Sequence, residues 1–298
     1  MRKVNIAPGV DSSVLGFGCA PILGAVGAKT AQRALGCALD EGINHFDIAR
    51  SYGYGEAEAF LGKFFKGRRD EVVIASKFGI RATWKAGLLR PLKPAVRTLR
   101  ALRNRGSGCK SGGSDAQADT ASEVAEPAEN MPPRKDPFHE RIAITPEAMV
   151  ASLDKSLSAL RCDYLDVLMV HEPTGAIERM DDLAAKAEEL KQQGKIKAWG
   201  LAFDWDTADV HESVFDRFDV LQFNNSPEAA HYGRTLEQRR SAANIFFSPF
   251  RQRQDLTPAE VLQKLWQDFP NSVVLCSMFN PKHIAANVKV AELVQKLS

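Results

Sequence analysis

The sequence predicts an α/β protein: a parallel eight-stranded (β/α)8 TIM barrel with a long insertion after the third strand. Three observations carry this. Short apolar runs recur eight times, they alternate with segments of helical periodicity, and 298 residues is a length at which one α/β barrel closes as a single unit. An open doubly wound sheet is the alternative. It would carry a GxGxxG loop after an early strand, whereas Leu15-Gly16-Phe17-Gly18-Cys19-Ala20 has two of the glycines and lacks the third.

The eight runs are Val14–Cys19, Asn44–Ile48, Val72–Lys77, Tyr164–His171, Ala198–Phe203, Val220–Asn224, Ile245–Pro249 and Val273–Met278. Each is short and rich in Val, Ile, Leu and Phe, as strands covered on both faces must be. The helices between them carry their own punctuation. Lys29–Asp40 is followed by Gly42, a residue suited to the left-handed position after a helix. Thr145-Pro146 opens Glu147–Leu160 with a cap residue and an N1 proline. Thr257-Pro258-Ala259-Glu260 has the spacing of a capping box.

One region breaks this rhythm. Residues 81–144 separate the third run from the next helix and contain no strand-like run, far beyond the usual connection of about 4–6 residues. Arg81 to Arg105 holds eight Lys/Arg and no acid, with Leu89, Leu92, Val96, Leu99 and Leu102 at helical spacing. Gly106 to Thr120 is Gly/Ser-rich, and Asp115 to Glu129 carries five acids and no base. The expectation is one barrel over 1–298 containing an insertion at 81–144 that is partly disordered. Within it, Thr83 to Asn104 is expected to form a basic helix at the barrel rim.

Composition narrows the function classes. A formal net charge of +2 gives no electrostatic reason for nucleic-acid or membrane binding. The opening MRKVNIAPGVD has no apolar core of the signal-peptide kind, and no run reaches the length of a membrane span. Five scattered cysteines without a CxxC fit a reducing cytoplasm better than a disulfide framework or a metal site.

In a parallel barrel the chemistry lies at the C-terminal ends of the strands. The second run delivers Asp47 and leads into Tyr52, the third ends at Lys77, and the fourth ends at His171. An ammonium beside a phenol favours the phenolate and lowers its pKa. Asp47 can keep Lys77 charged and aimed, and His171 can hydrogen-bond a substrate oxygen or relay its proton. Each residue alone has a plain structural role; the case rests on all four sharing one predicted face.

These motifs resemble the aldo-keto reductases. Phe46-Asp47-Ile48-Ala49 with Tyr52-Gly53 and Leu61-Gly62 is similar to the family's FDTAxxYG…LG signature. Val73-Ile74-Ala75-Ser76-Lys77, Ser156…Leu160 with Asp163-Tyr164-Leu165-Asp166, and Gly194-Lys195-Ile196-Lys197-Ala198-Trp199-Gly200 match further segments. The resemblance covers the chain except roughly 81–144. It implies carbonyl reduction of a small-molecule substrate by NADPH, with NADH possible. Tyr52 would be the general acid, Lys77 and Asp47 its tuning pair, and His171 the substrate-orienting group. It further implies cofactor contacts from Gln222, Phe247, Ser248, Arg251, Ser277, Lys282, His283 and Asn287. Where the family places Ser-Asn this chain has Ala202-Phe203, and the family's Lys or Gly and Arg near the adenosine phosphate correspond to Ser277 and His283. These departures keep a second reading open, an aldo-keto reductase-like binding or regulatory protein with little turnover. The family's usual covers over the substrate follow the histidine strand and lie at the C-terminus, and both are expected to be short in this chain.

Overall fold

The structure is a computed structural model that describes residues 1–88, 137–251 and 253–297. Twelve strands are present among them: β1 (Lys3–Ala7), β2 (Val10–Ser13), β3 (Leu15–Gly18), β4 (His45–Asp47), β5 (Val73–Phe78), β6 (Ile80–Ala82), β7 (His139–Arg141), β8 (Leu165–His171), β9 (Ile196–Phe203), β10 (Val220–Asn224), β11 (Asn244–Phe247) and β12 (Val273–Cys276). β3, β4, β5 and β8 to β12 close into a barrel in sequence order. Every barrel pair that is described is parallel. All eight predicted strands are therefore present, with ends moved by a residue or two.

The period of two along each strand builds two cores. Val73, Ala75, Val167, Met169, Ala198, Ala202, Val220, Ile245, Val273 and Leu275 fill the barrel interior. Their outward neighbours, such as Phe46, Ile74, Leu168, Phe223 and Phe246, pack under the helices. Trp266, on the helix Pro258–Asp268, is 1% exposed and donates from Nε1 to the Val14 carbonyl at 3.1 Å. Its truncation to alanine should cost about 3–5 kcal/mol, as large buried aromatics do.

The helix signals hold locally. Thr257 and Glu260 make the reciprocal capping box, and Thr145 Oγ1 accepts from the Ala148 amide at 3.2 Å. Gly42 has φ +80°, the left-handed value expected of it.

Two hairpins fall outside the predicted strands. β1 and β2 pair antiparallel and place Ile6, Ala7 and Val10 against the interior cluster, closing the N-terminal end of the barrel. β6 and β7 pair antiparallel at the opposite end, directly after β5, so the segment 81–144 does contain strand. The Ile142 amide bonds the Gly79 carbonyl at 2.8 Å, and a Cβ on Gly79 (φ +116°) would lie 3.2 Å from the His171 carbonyl. The insertion thus leaves and returns at the C-terminal end of the barrel strands. Of the expected basic helix, Trp84–Leu88 is helical. The leucines from Leu89, the Gly/Ser-rich run and the acidic stretch lie outside the described residues.

Candidate active site

Asp47 is the last residue of β4, Lys77 lies one residue from the end of β5, and His171 ends β8. Parallel register sets these three ends side by side on one rim. They are 5%, 2% and 6% exposed. A charged pair so deep in a barrel needs saturated partners, and it has them. Lys77 Nζ donates to Asp47 Oδ1 at 2.6 Å and to the Ile48 carbonyl at 3.1 Å. The second Asp47 oxygen accepts from Gln222 Nε2 at 2.7 Å.

Tyr52 reaches this pair from a tight turn, Tyr52–Gly55. Gly53 takes φ +61°, and a Cβ there would sit 2.7 Å from the Ile22 carbonyl, so glycine is required where the two loops meet. The half-buried Tyr52 ring lies 5.3 Å from Lys77 Nζ and meets the His171 ring edge-on at 6.1 Å. The four predicted catalytic residues are thus brought together.

Their electrostatics only partly follow the sequence expectation. Burial dominates at Tyr52 and pushes the phenol up to about 12; Lys77 pulls it down, as expected, but does not win. Burial acts to lower the Lys77 ammonium too, but Asp47 and Tyr52 more than offset it and leave it raised. His171 is held well below the usual imidazole range by burial first, then by Lys77, Arg141 and His139. Its Nδ1 is buried and has no hydrogen-bond partner among the described residues.

The expected cofactor residues divide. Phe247, Ser248, Arg251, Ser277, Lys282, His283 and Asn287 lie at or beyond the C-terminal ends of β11 and β12, on the same rim. Phe247 is partly buried, and Ser248 is exposed in a left-handed turn at φ +51°. Lys282 and His283 are exposed in the first turn of the helix Pro281–Leu297. Others are already engaged. Arg251 pairs with Asp204 at 3.0 Å, Ser277 Oγ donates to the Gly18 carbonyl at 3.0 Å, and Asn287 Nδ2 reaches Met278 Sδ at 3.2 Å. Ala202 faces the interior beside His171, its register partner. Phe203 points outward into a stack with Trp205, Phe215 and Phe223.

Sequence reasoning missed four things. Arg141 of β7 caps the Glu172 carbonyl and depresses His171. His139 Nε2 pairs with the Ser51 carbonyl at 3.1 Å, and its ring stacks on Tyr54. The link from Gln222 to Asp47 was also missed. Asn225 and Ser226, just after β10, bury side-chain polar atoms that have no partner among the described residues. His139, Glu140 and Arg141 are all polar and carry no strand pattern, and the other two features leave no local pattern either.

A model of the aldo/keto reductase family matches residues 14–228, which takes in all four of these residues. The chain belongs to the aldo/keto reductase family. It is 26% identical over 222 residues to aldo-keto reductase YhdN of Bacillus subtilis, a match covering 72% of this chain and 51% of that protein. The chain spans about half the length of the curated relatives it matches. Among solved structures, aldo-keto reductase AKR11C1 from Bacillus halodurans in its holo form superposes with a TM-score of 0.66 at 19% identity, covering 100% of this chain and 95% of that one. A Klebsiella pneumoniae aldo-keto reductase in complex with NADPH gives 0.63 at 16% identity, covering 99% and 94%. At these identities the structural likeness speaks to the barrel alone. No helix among the described residues is long and apolar enough to cross a membrane.

Proposed function

We propose that this aldo/keto reductase reduces an aldehyde or ketone to the alcohol with NADPH, NADH being possible, or runs the reverse oxidation. One observation carries the reading. At the C-terminal mouth of the barrel a buried ammonium, Lys77, sits 2.6 Å from a carboxylate and 5.3 Å from the ring of Tyr52, beside the neutral imidazole of His171.

When bound, the nicotinamide supplies hydride to the carbonyl carbon. The chain's part is to manage the proton. Tyr52 keeps its proton at neutral pH as any phenol does, and burial pushes it further up, to about 12. As the carbonyl oxygen gains negative charge it becomes more basic than a phenolate, so transfer from Tyr52 Oη runs downhill. The phenolate left behind is stabilised by Lys77, the same interaction that pulls the phenol pKa down. Asp47 keeps Lys77 charged at the floor of the site. His171 Nδ1 has no acceptor among the described residues, so the neutral ring carries its hydrogen on Nε2, from which it can donate to the substrate oxygen.

The rim over β11 and β12 fits a dinucleotide. Gly18 leaves room that a Cβ would fill at 2.9 Å from Ser277 Oγ. Phe247 offers a ring for stacking. Lys282 and His283 stand at a helix N-terminus, where amides and dipole favour phosphate. Gln222 is committed to Asp47, so we assign it first to holding that carboxylate. A weakly active binding or regulatory barrel is the competing reading. Ala202 favours it, since a methyl beside His171 can hold no amide.

Tyr52→Phe tests the proposal. Carbonyl reduction should fall at least about 100-fold, the scale of general acid catalysis, with NADPH affinity nearly unchanged by fluorescence titration. A variant that keeps most of its kcat removes Tyr52 from the mechanism. Failure of the wild-type protein to bind either NADPH or NADH overturns the whole reading.

A further inference from the structure

A second cavity, of about 430 Å³, lies away from these four residues, between the helices Ala57–Phe64 and Pro146–Leu160 and the start of the β6–β7 hairpin. It sits outside the barrel wall, because its floor residue Glu58 accepts a hydrogen bond from Ser76, an outward-facing residue of β5, at 2.7 Å. Three cations converge on it: Arg50, Arg81 and Lys155.

Like charges gathered in a hollow repel, and the described residues do little to neutralise these. Arg50 is half-buried, and its side-chain partner is the neutral hydroxyl Ser152 Oγ at 3.1 Å. Among the described residues, no carboxylate lies within ion-pair distance of Arg50 or of the exposed Lys155. Arg81 is turned toward Glu140 at 2.6 Å. Burial pushes the Arg50 guanidinium down; the pull of Glu58 opposes this, and Arg81 adds a smaller push in the same downward direction. Among the described lining residues Glu58 is the one carboxylate, and a single carboxylate leaves three cations with a net positive charge. It is 5% exposed, burial pushes its carboxyl up, and it is occupied by Ser76 and Ser156.

Beside the cations stands Trp84, 73% exposed. Lys85 Nζ stands over its ring at 5.9 Å, and an indole left this exposed at the edge of a hollow is a stacking surface. Thr83 adds a hydroxyl to the same wall.

We propose that this cavity binds a phosphate monoester carried on a flat ring, the phosphate between Arg50, Arg81 and Lys155 and the ring against Trp84. Guanidinium and ammonium groups offer the charge-assisted hydrogen bonds a phosphate dianion takes best. The site flanks the catalytic loop, since Arg50 and Gly55 bracket Tyr52 in sequence and both line the cavity. It does not depend on the proposed reaction, and its test reads binding rather than turnover.

Trp84 supplies the signal, because Trp199, Trp205 and Trp266 are 2%, 7% and 1% exposed. The full-length protein is titrated with inorganic phosphate and with adenosine monophosphate at fixed ionic strength, following Trp84 fluorescence, with calorimetry as a second readout. The expected result is saturable binding, tighter for the nucleotide. Arg50→Gln and Lys155→Gln should each weaken it about tenfold, the scale of one hydrogen bond to a charged group. Lys264→Gln, on the helix Pro258–Asp268 and outside the cavity lining, should leave it unchanged. Lys155 is exposed, so its substitution tests the site even if Arg50→Gln perturbs folding. The proposal is overturned by a linear response, by an equal response to chloride at matched ionic strength, by binding that survives Lys155→Gln undiminished, or by binding lost instead in Lys264→Gln.

Discussion

Lys77→Met removes the ammonium and keeps the stem. Asp47 Oδ1 then loses a 2.6 Å donor and the Ile48 carbonyl loses one at 3.1 Å, while Oδ2 retains Gln222 Nε2 at 2.7 Å. A carboxylate 5% exposed is left with one neutral donor. Breaking a buried pair from one side costs about 3–5 kcal/mol, because the surviving charge is desolvated without compensation. The retained Gln222 bond places the expectation at the lower end, about 3 kcal/mol. Asp47→Asn combined with Lys77→Met removes both charges and should recover about half of that loss. Activity should not follow stability. Both the single and the double variant lack the charge facing Tyr52, so carbonyl reduction should stay at least about 100-fold down in each. Urea unfolding at pH 7 measures the first quantity, and NADPH consumption with a simple aldehyde measures the second. A Lys77→Met protein within about 1 kcal/mol of wild type, or a double variant as unstable as the sum of its singles, would refute the coupling.

Three other outcomes can be checked. His45 is fully buried with Nδ1 2.9 Å from Ser12 Oγ, and burial holds its imidazole at about 4 against an ordinary 6.5. The unfolded chain takes up this proton first, so the contribution is complete above pH 6.5 and is lost as pH falls toward about 4, reaching about 3 kcal/mol. Urea midpoints of wild type and His45→Gln between pH 7 and 4.5 should diverge in slope, and parallel curves would dismiss the effect. Gly79→Ala places a methyl at φ +116°, 3.2 Å from the His171 carbonyl, and should cost about 1–3 kcal/mol and reduce kcat more than NADPH affinity; wild-type stability would contradict it. Because Lys282 is a mobile point charge and Arg251 is paired with Asp204, NADPH should be preferred over NADH by less than about 100-fold. If titration shows a larger ratio, another arginine holds the 2′-phosphate, and Arg253→Ala is the first variant to make.

The alternation of apolar runs with capped helices was enough to determine the barrel. Burial on both faces forces Val- and Ile-rich runs wherever a parallel strand lies, and Thr257–Glu260 and Gly42 mark helix ends by interactions within a few residues. The four catalytic candidates were legible for the same reason, since Asp47, Lys77 and His171 lie at the ends of strands whose identity is local and Tyr52 follows in the loop after β4. The hairpin β6–β7 was not legible. It is three residues on each side, and Arg81 finds Glu140 across 59 positions of chain. Nor was the true partner of Gln222, which lies 175 residues from Asp47. Only the closed barrel brings those two to one floor. The Tyr52 phenol makes the division plain. Sequence could name Lys77, the charge that pulls its pKa down. The larger, opposing influence is the water excluded from around the ring, and that depends on how the loops, the β6–β7 hairpin and His171 pack over one another. Desolvation belongs to no single residue, so it becomes readable only once the chain has closed.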